Sequence, residues 1–235
     1  MTILEDARQF IFDQFNGQEY TRETRHPWRN NWEFAFLHSL RVEALTVQIL
    51  AREQHGLSAH EVELIRLAAI LHDVARMGER ENHAQIGAEV AGKWLEGRPS
   101  LDGRDIQTVT GMIANHSSKG QPASGYPLAV LQDADTLDEI GVMSIFMSSN
   151  WLDKQSPFFF HHLRQSLMEQ EIPYCDKKLG ILNTQGAREI LQEKKAFLEN
   201  FAAQIASELD THPDTHQILP VAPKGRRDLP SLGRP

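Results

Sequence analysis

The sequence has one cysteine, no long apolar run and no excess of positive charge, and each scarcity excludes a class of protein. With Cys175 as the single cysteine among 235 residues, an internal disulfide cannot form, which excludes a disulfide-stapled secreted scaffold. The formal net charge of −8 argues against broad binding to nucleic-acid backbones or anionic membranes. No unbroken apolar run approaches the ~18 residues of a membrane span. The acidic start, with Glu5 and Asp6, does not resemble a signal peptide. We therefore expect a soluble, cytoplasmic protein.

Alternation of apolar and polar residues, the pattern of β-strands, is also missing, and apolar residues recur at helical spacing instead. Helices are predicted over 1–20, 32–55, 58–71, 82–97, 101–115, 156–170 and 183–209, with a long apolar segment over 128–147. Loops are predicted over 21–31, 74–81 and 117–127. This pattern predicts an all-α fold, a single domain over 1–210 with its core in 30–150 and accessory helices in 151–210. Residues 211–235 hold five prolines and are expected to form a poorly ordered tail.

The helix that precedes residue 72 has the most unusual end. Its capping box of Ser58 and Glu61 opens an almost wholly apolar segment, and the run 67–71 leads directly into His72 and Asp73. A buried histidine beside a buried carboxylate needs a compensating partner, because an unpaired buried charge is unfavourable. A divalent cation is the simplest partner, since it binds imidazole nitrogen and carboxylate oxygen together.

Other chemistry-bearing side chains lie on apolar helices in the same way. His38, His83 and His116 lie on or at the ends of such helices, and Asp135 lies within the apolar segment 128–147. One histidine on an apolar face is usually a satisfied core residue. Four of them with two buried acids are better explained by a metal site.

These motifs resemble those of the HD-domain metal-dependent phosphohydrolases, an all-helical superfamily. The resemblance covers roughly residues 30–150 and rests on ordered blocks in the sequence. They are His38, Leu71-His72-Asp73-Val74, Asn82-His83-Ala84, Ile113-Ala114-Asn115-His116-Ser117 and Gln132-Asp133-Ala134-Asp135-Thr136-Leu137-Asp138. The segment Gly125-Tyr126-Pro127 resembles part of the HD-GYP subgroup motif. No second histidine comes directly after His116, so the subgroup motif is incomplete and cyclic-dinucleotide cleavage is not predicted.

The resemblance implies a metal site and a reaction. His38, His72, Asp73 and Asp135 would hold one divalent ion, and His83 and His116 would hold a second ion with Asp73 as the bridge. Histidine-rich ligation favours Mn, Fe, Co, Ni or Zn over Mg. The implied activity is hydrolysis of a phosphate ester or phosphoanhydride by metal-activated water.

Roles for the remaining polar residues follow from this chemistry. Catalytic roles are expected for Asp73 and His72, and for Asp138, which would orient a ligand or the attacking water. Arg41, Arg76 and Lys119 are the candidates for binding a phosphate group, and Arg80 is a weaker one. The expected partner is a small phosphorylated substrate, in the first place a nucleotide; a homodimer stays open.

Two alternatives stay open from the sequence. Some HD-domain proteins are mixed-valent di-iron oxygenases that use the same six ligand types. The site would otherwise belong to a non-catalytic module in which the metal is structural or the pocket senses a nucleotide.

Overall fold

The computed structural model describes residues 2–18, 27–78, 81–119 and 123–209, and it confirms the all-α fold. No β-strand occurs within these ranges. The α-helices are α1 (Ile3–Phe15), α2 (Trp32–Ala51), α3 (Ala59–Leu71), α4 (His83–Glu96), α5 (Gly103–Asn115), α6 (Tyr126–Leu137), α7 (Val142–Ser149), α8 (Phe159–Ser166), α9 (Ile172–Leu179) and α10 (Gln185–Leu209). A 3₁₀ turn (Pro27–Asn30) precedes α2, and a π-helical segment (Leu167–Glu171) joins α8 to α9.

The described residues fall into two compact units. The first comprises residues 1–138 and 181–190, and the second comprises 139–180 and 191–235. The predicted domain limits at 1–210 and 211–235 stay predictions, since residues 210–235, the predicted tail, lie outside the described residues.

Helix α3 is the centre of the first unit, as its apolar composition predicts. All five residues of the run 67–71 are fully buried, and α3 packs against α1, α2, α5 and α6. The predicted capping box opens it: the Glu61 backbone N–H donates to Ser58 Oγ, and the Ser58 N–H donates to the Glu61 carboxylate. This cap fixes where the helix begins; the helix is thirteen residues long, ends at Leu71 and has His72 as its C-cap.

Helix α2 bears on the prediction that no part of the chain is apolar and long enough to span a membrane. It is long and apolar enough to cross a bilayer by length and composition, although 44% of its most apolar window is buried within the protein. A core helix of a water-soluble protein passes the same test. Glu43 on this helix is buried and accepts hydrogen bonds from both Arg8 and Arg66, so its charge is paired inside the first unit. A cytoplasmic location stays a prediction.

The segment 128–147 forms two helices, because the backbone leaves the helical conformation after Leu137. Glu139 and Gly141 both have positive φ, 64° and 97°, which no α-helix accommodates. The Ser144 hydroxyl then donates to the Gly141 carbonyl at 2.8 Å within the first turn of α7.

In the second unit the helical segment predicted to end at 170 continues to Leu179. Pro173 lies at the start of α9, where the missing N–H would have no intrahelical partner in any case. The buried Ser148 hydroxyl donates to Glu171 at 2.9 Å and contacts the Ser166 hydroxyl at 3.1 Å, which satisfies these polar groups. Burial raises the pKa of the Cys175 thiol to about 11, which disfavours the reactive thiolate form.

Candidate metal centre

The six predicted ligands come from five helices of the first unit and converge on Asp73. His38 lies in the middle of α2, His72 and Asp73 directly follow α3, and His83 is the first residue of α4. His116 directly follows α5, and Asp135 lies in the last turn of α6. Helix ends thus deliver most of these side chains, and the packing of α3 against its neighbours sets their positions.

One group of ligand atoms surrounds Asp73 Oδ2. His38 Nε2 lies 3.5 Å from this oxygen and His72 Nε2 lies 3.6 Å from it. Asp135 Oδ1 lies 3.4 Å from His38 Nε2 and 3.9 Å from His72 Nε2. Two imidazole nitrogens and two carboxylate oxygens therefore face one another.

A second group surrounds the other oxygen of the same carboxylate. His83 Nε2 lies 3.4 Å and His116 Nε2 lies 3.5 Å from Asp73 Oδ1. The two Nε2 atoms are 3.3 Å apart. Asp73 thus stands between the two groups and presents one oxygen to each.

Hydrogen bonds on the far side of the rings determine which nitrogen faces the centre. His72 Nδ1 lies 2.9 Å from the Ala69 carbonyl oxygen, and His116 Nδ1 lies 2.7 Å from the Ile113 carbonyl oxygen. A carbonyl can only accept, so both Nδ1 atoms carry the proton and both Nε2 lone pairs point at the centre. His38 Nδ1 is 2.6 Å from Asp138 Oδ2, which gives it the same tautomer.

This arrangement fits divalent metal ions. Both carboxylate oxygens of Asp73 are buried and have no hydrogen-bond partner in the described part of the chain, and the residue is only 1% exposed. Nitrogen and oxygen ligands at about 2.0–2.2 Å from one ion are separated from each other by roughly 3–3.5 Å, close to the spacing within each group. Lone pairs that face each other at such distances repel unless a cation lies between them. His38, His72, Asp73 and Asp135 suit one ion, and Asp73, His83 and His116 suit a second.

The pKa values of the cluster reflect burial and mutual charge. Burial lowers the pKa of His72 to about 4, so this ring is neutral near pH 7. Burial would also lower the pKa of His38, but the carboxylates of Asp135, Asp138 and Asp73 raise it well above its usual value. Burial disfavours the charged form of Asp73, yet Arg76 and the neighbouring imidazoles hold its pKa well below the usual range. A raised pKa favours the protonated His38 ring, so a proton competes with a metal ion for its Nε2.

The predicted catalytic acid Asp138 contacts a ligand. Besides His38, it binds Arg41 through two hydrogen bonds of 2.8 and 3.0 Å. Burial would raise the pKa of Asp138, but these two partners lower it, so the carboxylate is charged. The predicted role of Asp138 in orienting a ligand or the attacking water stays a prediction.

The predicted phosphate-binding cations lie at different distances from the centre. Lys119 Nζ is 2.5 Å from Asp135 Oδ2, and Arg76 Nη1 is 3.4 Å from Asp73 Oδ2. Arg76 is the most exposed of these side chains, at 44%, while the Arg41 guanidinium is engaged by Asp138. Arg80 lies outside the described residues. Substrate binding by Arg41, Arg76 and Lys119 stays a prediction.

Sequence reasoning missed several supporting groups. The carbonyls of Ala69 and Ile113 belong to residues whose side chains carry no signal, although each lies three positions before its histidine. Asp133, two residues before Asp135, is 1% exposed and accepts hydrogen bonds from the backbone N–H groups of Asn183 and Thr184 and from both side chains. It fixes the segment that leads into α10 on α6, away from the ligands.

Comparison with known proteins gives a family match and several similar folds. Residues 35–142 match the family described as the HD domain. A predicted HD superfamily hydrolase from an uncultured Thermotogales bacterium has a similar structure, with a TM-score of 0.59 and 21% identity over 88% of this chain and 92% of that chain. YpgQ of Bacillus subtilis, solved in complex with ADP, aligns with a TM-score of 0.52 and 18% identity over 88% of this chain and 98% of that chain. No curated protein matches the sequence.

Proposed function

The chain carries an HD domain over residues 35–142, and from this premise we propose that the protein is a metal-dependent phosphohydrolase. The observation that carries the proposal is the position of Asp73. Its buried oxygens accept no hydrogen bond from the residues that the structure describes, and each oxygen faces a separate group of imidazole nitrogens. Family membership supports a hydrolase, and the site supports metal dependence.

The candidate ligands would form two ion positions that share Asp73. When bound, divalent ions would lower the pKa of coordinated water and neutralise charge on a phosphoryl oxygen. His38, His72, Asp73 and Asp135 would hold one ion, and Asp73, His83 and His116 the other. To bind metal, His38 must release the proton that its raised pKa retains, while Asp138 keeps Nδ1 protonated and Nε2 directed inward.

Cationic side chains at the rim of the site suit an anionic substrate. Arg76 is 44% exposed beside Asp73, so its guanidinium is accessible to a phosphate group in solvent. Lys119 pairs with Asp135 and adds positive charge next to the first group. These two residues are our candidates for binding the substrate phosphate.

We extend the proposal to nucleotides as the substrate class. The structure of YpgQ, which shares this fold, contains ADP. A small phosphorylated metabolite other than a nucleotide would fit the same chemistry, because the candidate residues Arg76 and Lys119 would bind a phosphate group and would not distinguish a base.

A substrate panel under controlled atmosphere tests the proposal. The purified protein, loaded with Mn²⁺, is incubated with nucleoside mono-, di- and triphosphates and with simple phosphate esters, and released phosphate and pyrophosphate are measured. We expect metal-dependent release that persists without oxygen and is lost in Asp73→Ala. Asp13→Ala, an exposed carboxylate on α1, is the matched control and should retain wild-type rates.

Three outcomes would contradict the proposal. Full hydrolysis by Asp73→Ala would separate the activity from this site. Oxygen consumption with copurified iron, and no anaerobic hydrolysis, would instead establish the oxygenase alternative. Nucleotide binding without turnover of any phosphate compound would point to a sensing module.

A further inference from the structure

Gln132 is a buried polar residue that connects α6 to the turn after α5. Its side chain is 3% exposed, and its Nε2 donates to the carbonyl oxygens of Asn115 at 2.9 Å and Ser118 at 3.4 Å. Its Oε1 is buried and has no hydrogen-bond partner among the described residues. The contacts of this amide are therefore the two bonds that it donates to the turn.

The turn that Gln132 contacts carries two residues of the metal centre. His116, directly after Asn115, faces His83 and Asp73 with its Nε2, and Lys119, directly after Ser118, pairs with Asp135. Gln132 itself lies three residues before Asp135 on α6, so both side chains project from the same face of that helix. One amide thereby ties the turn with His116 and Lys119 to the helix that supplies Asp135.

The end of α5 depends on donors from outside the helix. The last carbonyls of an α-helix have no intrahelical partner. Gln85 on α4 donates to the Ala114 carbonyl at 3.1 Å, and Gln132 does the same for Asn115. The backbone at His116 is thus fixed from two neighbouring helices, while the Ile113 carbonyl fixes its ring.

We propose that Gln132 is a positioning residue for the metal centre, an inference that rests on the proposed function. It holds the turn 115–119 so that His116 reaches Asp73 and His83. Loss of its two donated bonds leaves all six candidate ligands present but loosens the turn, which then keeps only its own backbone bonds, such as that from the Ser118 N–H to the Asn115 carbonyl at 3.2 Å. The ion held by His83, His116 and Asp73 is therefore weakened more than the ion held by His38, His72, Asp73 and Asp135.

Metal binding to a Gln132→Met variant tests this role. Methionine keeps the length of the side chain and removes both donated bonds. We measure Mn²⁺ stoichiometry and affinity by equilibrium dialysis and calorimetry, with no substrate present. Outer hydrogen-bonding partners of metal ligands typically change metal affinity by 10–100-fold, so we expect one of two ions to bind about 10-fold more weakly in Gln132→Met. The other ion should stay within about twofold, and hydrolysis should recover to the wild-type kcat at saturating Mn²⁺.

Asp133→Asn is the matched control. This neighbour is equally buried, but its hydrogen bonds reach Asn183 and Thr184 and not the metal centre. Its loss should lower the melting temperature and leave both Mn²⁺ affinities unchanged. If Gln132→Met does not fold, Gln132→Asn keeps an amide that is too short to reach the turn, and the same selective weakening is expected.

The possible failures are distinguishable. Wild-type protein that binds no Mn²⁺ would overturn the proposed function itself. Wild-type protein that binds two ions, with unchanged affinities in both Gln132 variants, would overturn only the positioning role. Equal weakening of both ions in Gln132→Met and in Asp133→Asn would also overturn it, because the effect would then be a general loss of stability.

Discussion

Replacing Asp73 by Asn should remove the stabilisation that divalent metal gives to the folded protein. The change is nearly isosteric, yet it deletes the one charge that both ligand groups share, since Oδ1 faces His83 and His116 and Oδ2 faces His38 and His72. An ion that binds only the folded state at 100 times its dissociation constant stabilises that state by about 2.7 kcal/mol. For a protein of this size, 1 kcal/mol raises the melting temperature by about 2–4 °C.

The assay is a thermal melt in the presence of chelator and then of Mn²⁺. We expect wild type to gain roughly 5–10 °C for each ion bound under these conditions. Asp73→Asn should gain less than about 1 °C, because both positions lose their shared ligand.

Two further variants make the prediction specific to this geometry. His83→Gln touches only the group at Oδ1, and Asp135→Asn touches only the group at Oδ2, so each should keep about half of the wild-type gain. A full rise of the melting temperature with Mn²⁺ in Asp73→Asn would show that this carboxylate does not hold the metal. A complete loss of that rise in all three variants would mean that the two groups bind a single ion and not two.

Three other predictions concern the shell around the ligands and the fold. Asp138→Ala should weaken metal binding 10–100-fold in equilibrium dialysis, because His38 loses the acceptor that fixes its tautomer; unchanged affinity would exclude that role. In chelator, urea titrations should show that about 3 kcal/mol of unfolding free energy is lost between pH 6.5 and about pH 4, because burial lowers the pKa of His72 to about 4 and only the unfolded state takes up its proton there. The other site groups with shifted pKa values change the stability only above pH 6.5, as for His38, or below pH 3.8, as for the three aspartates. His72→Gln should therefore flatten the fall in unfolding free energy between pH 6.5 and pH 4. Gly186→Ala should destabilise the protein by about 1–3 kcal/mol, since its Cβ would lie 2.7 Å from a backbone carbonyl oxygen of α2. Gly111→Ala, in open space on α5, should instead stabilise the protein by about 0.5–1 kcal/mol. Equal changes of unfolding free energy for the two variants in urea titrations would contradict this prediction.

Local signals made much of the fold predictable. The Ser58–Glu61 box and the apolar run 67–71 each state a local preference that the packing keeps, and α3 begins and ends where they indicate. The break after Asp138 was missed because its cause is a positive φ at Glu139, a non-glycine residue whose side chain gives no warning of that conformation. The helix predicted to end at 170 was too short, because a π-helical segment before Pro173 lets the chain stay helical.

The candidate site, like the fold, could be predicted from the sequence only in part. Ligand side chains can be predicted because imidazoles and carboxylates stand out on apolar helices, and the structure does bring His38, His72, Asp73, His83, His116 and Asp135 together. Groups that orient them are harder to predict. The carbonyls of Ala69 and Ile113 exist at every residue, and the amide of Gln132 acquires its meaning only when α6 packs beside the end of α5.

The most direct measurement is anomalous diffraction from crystals of the wild-type protein grown with Mn²⁺. We predict two anomalous peaks on opposite sides of the Asp73 carboxylate. One Mn²⁺ ion should lie within bonding distance of Nε2 of His38 and His72, and the other within bonding distance of Nε2 of His83 and His116. Crystals with no peak between these side chains, or with Mn²⁺ bound only elsewhere on the protein, would contradict it.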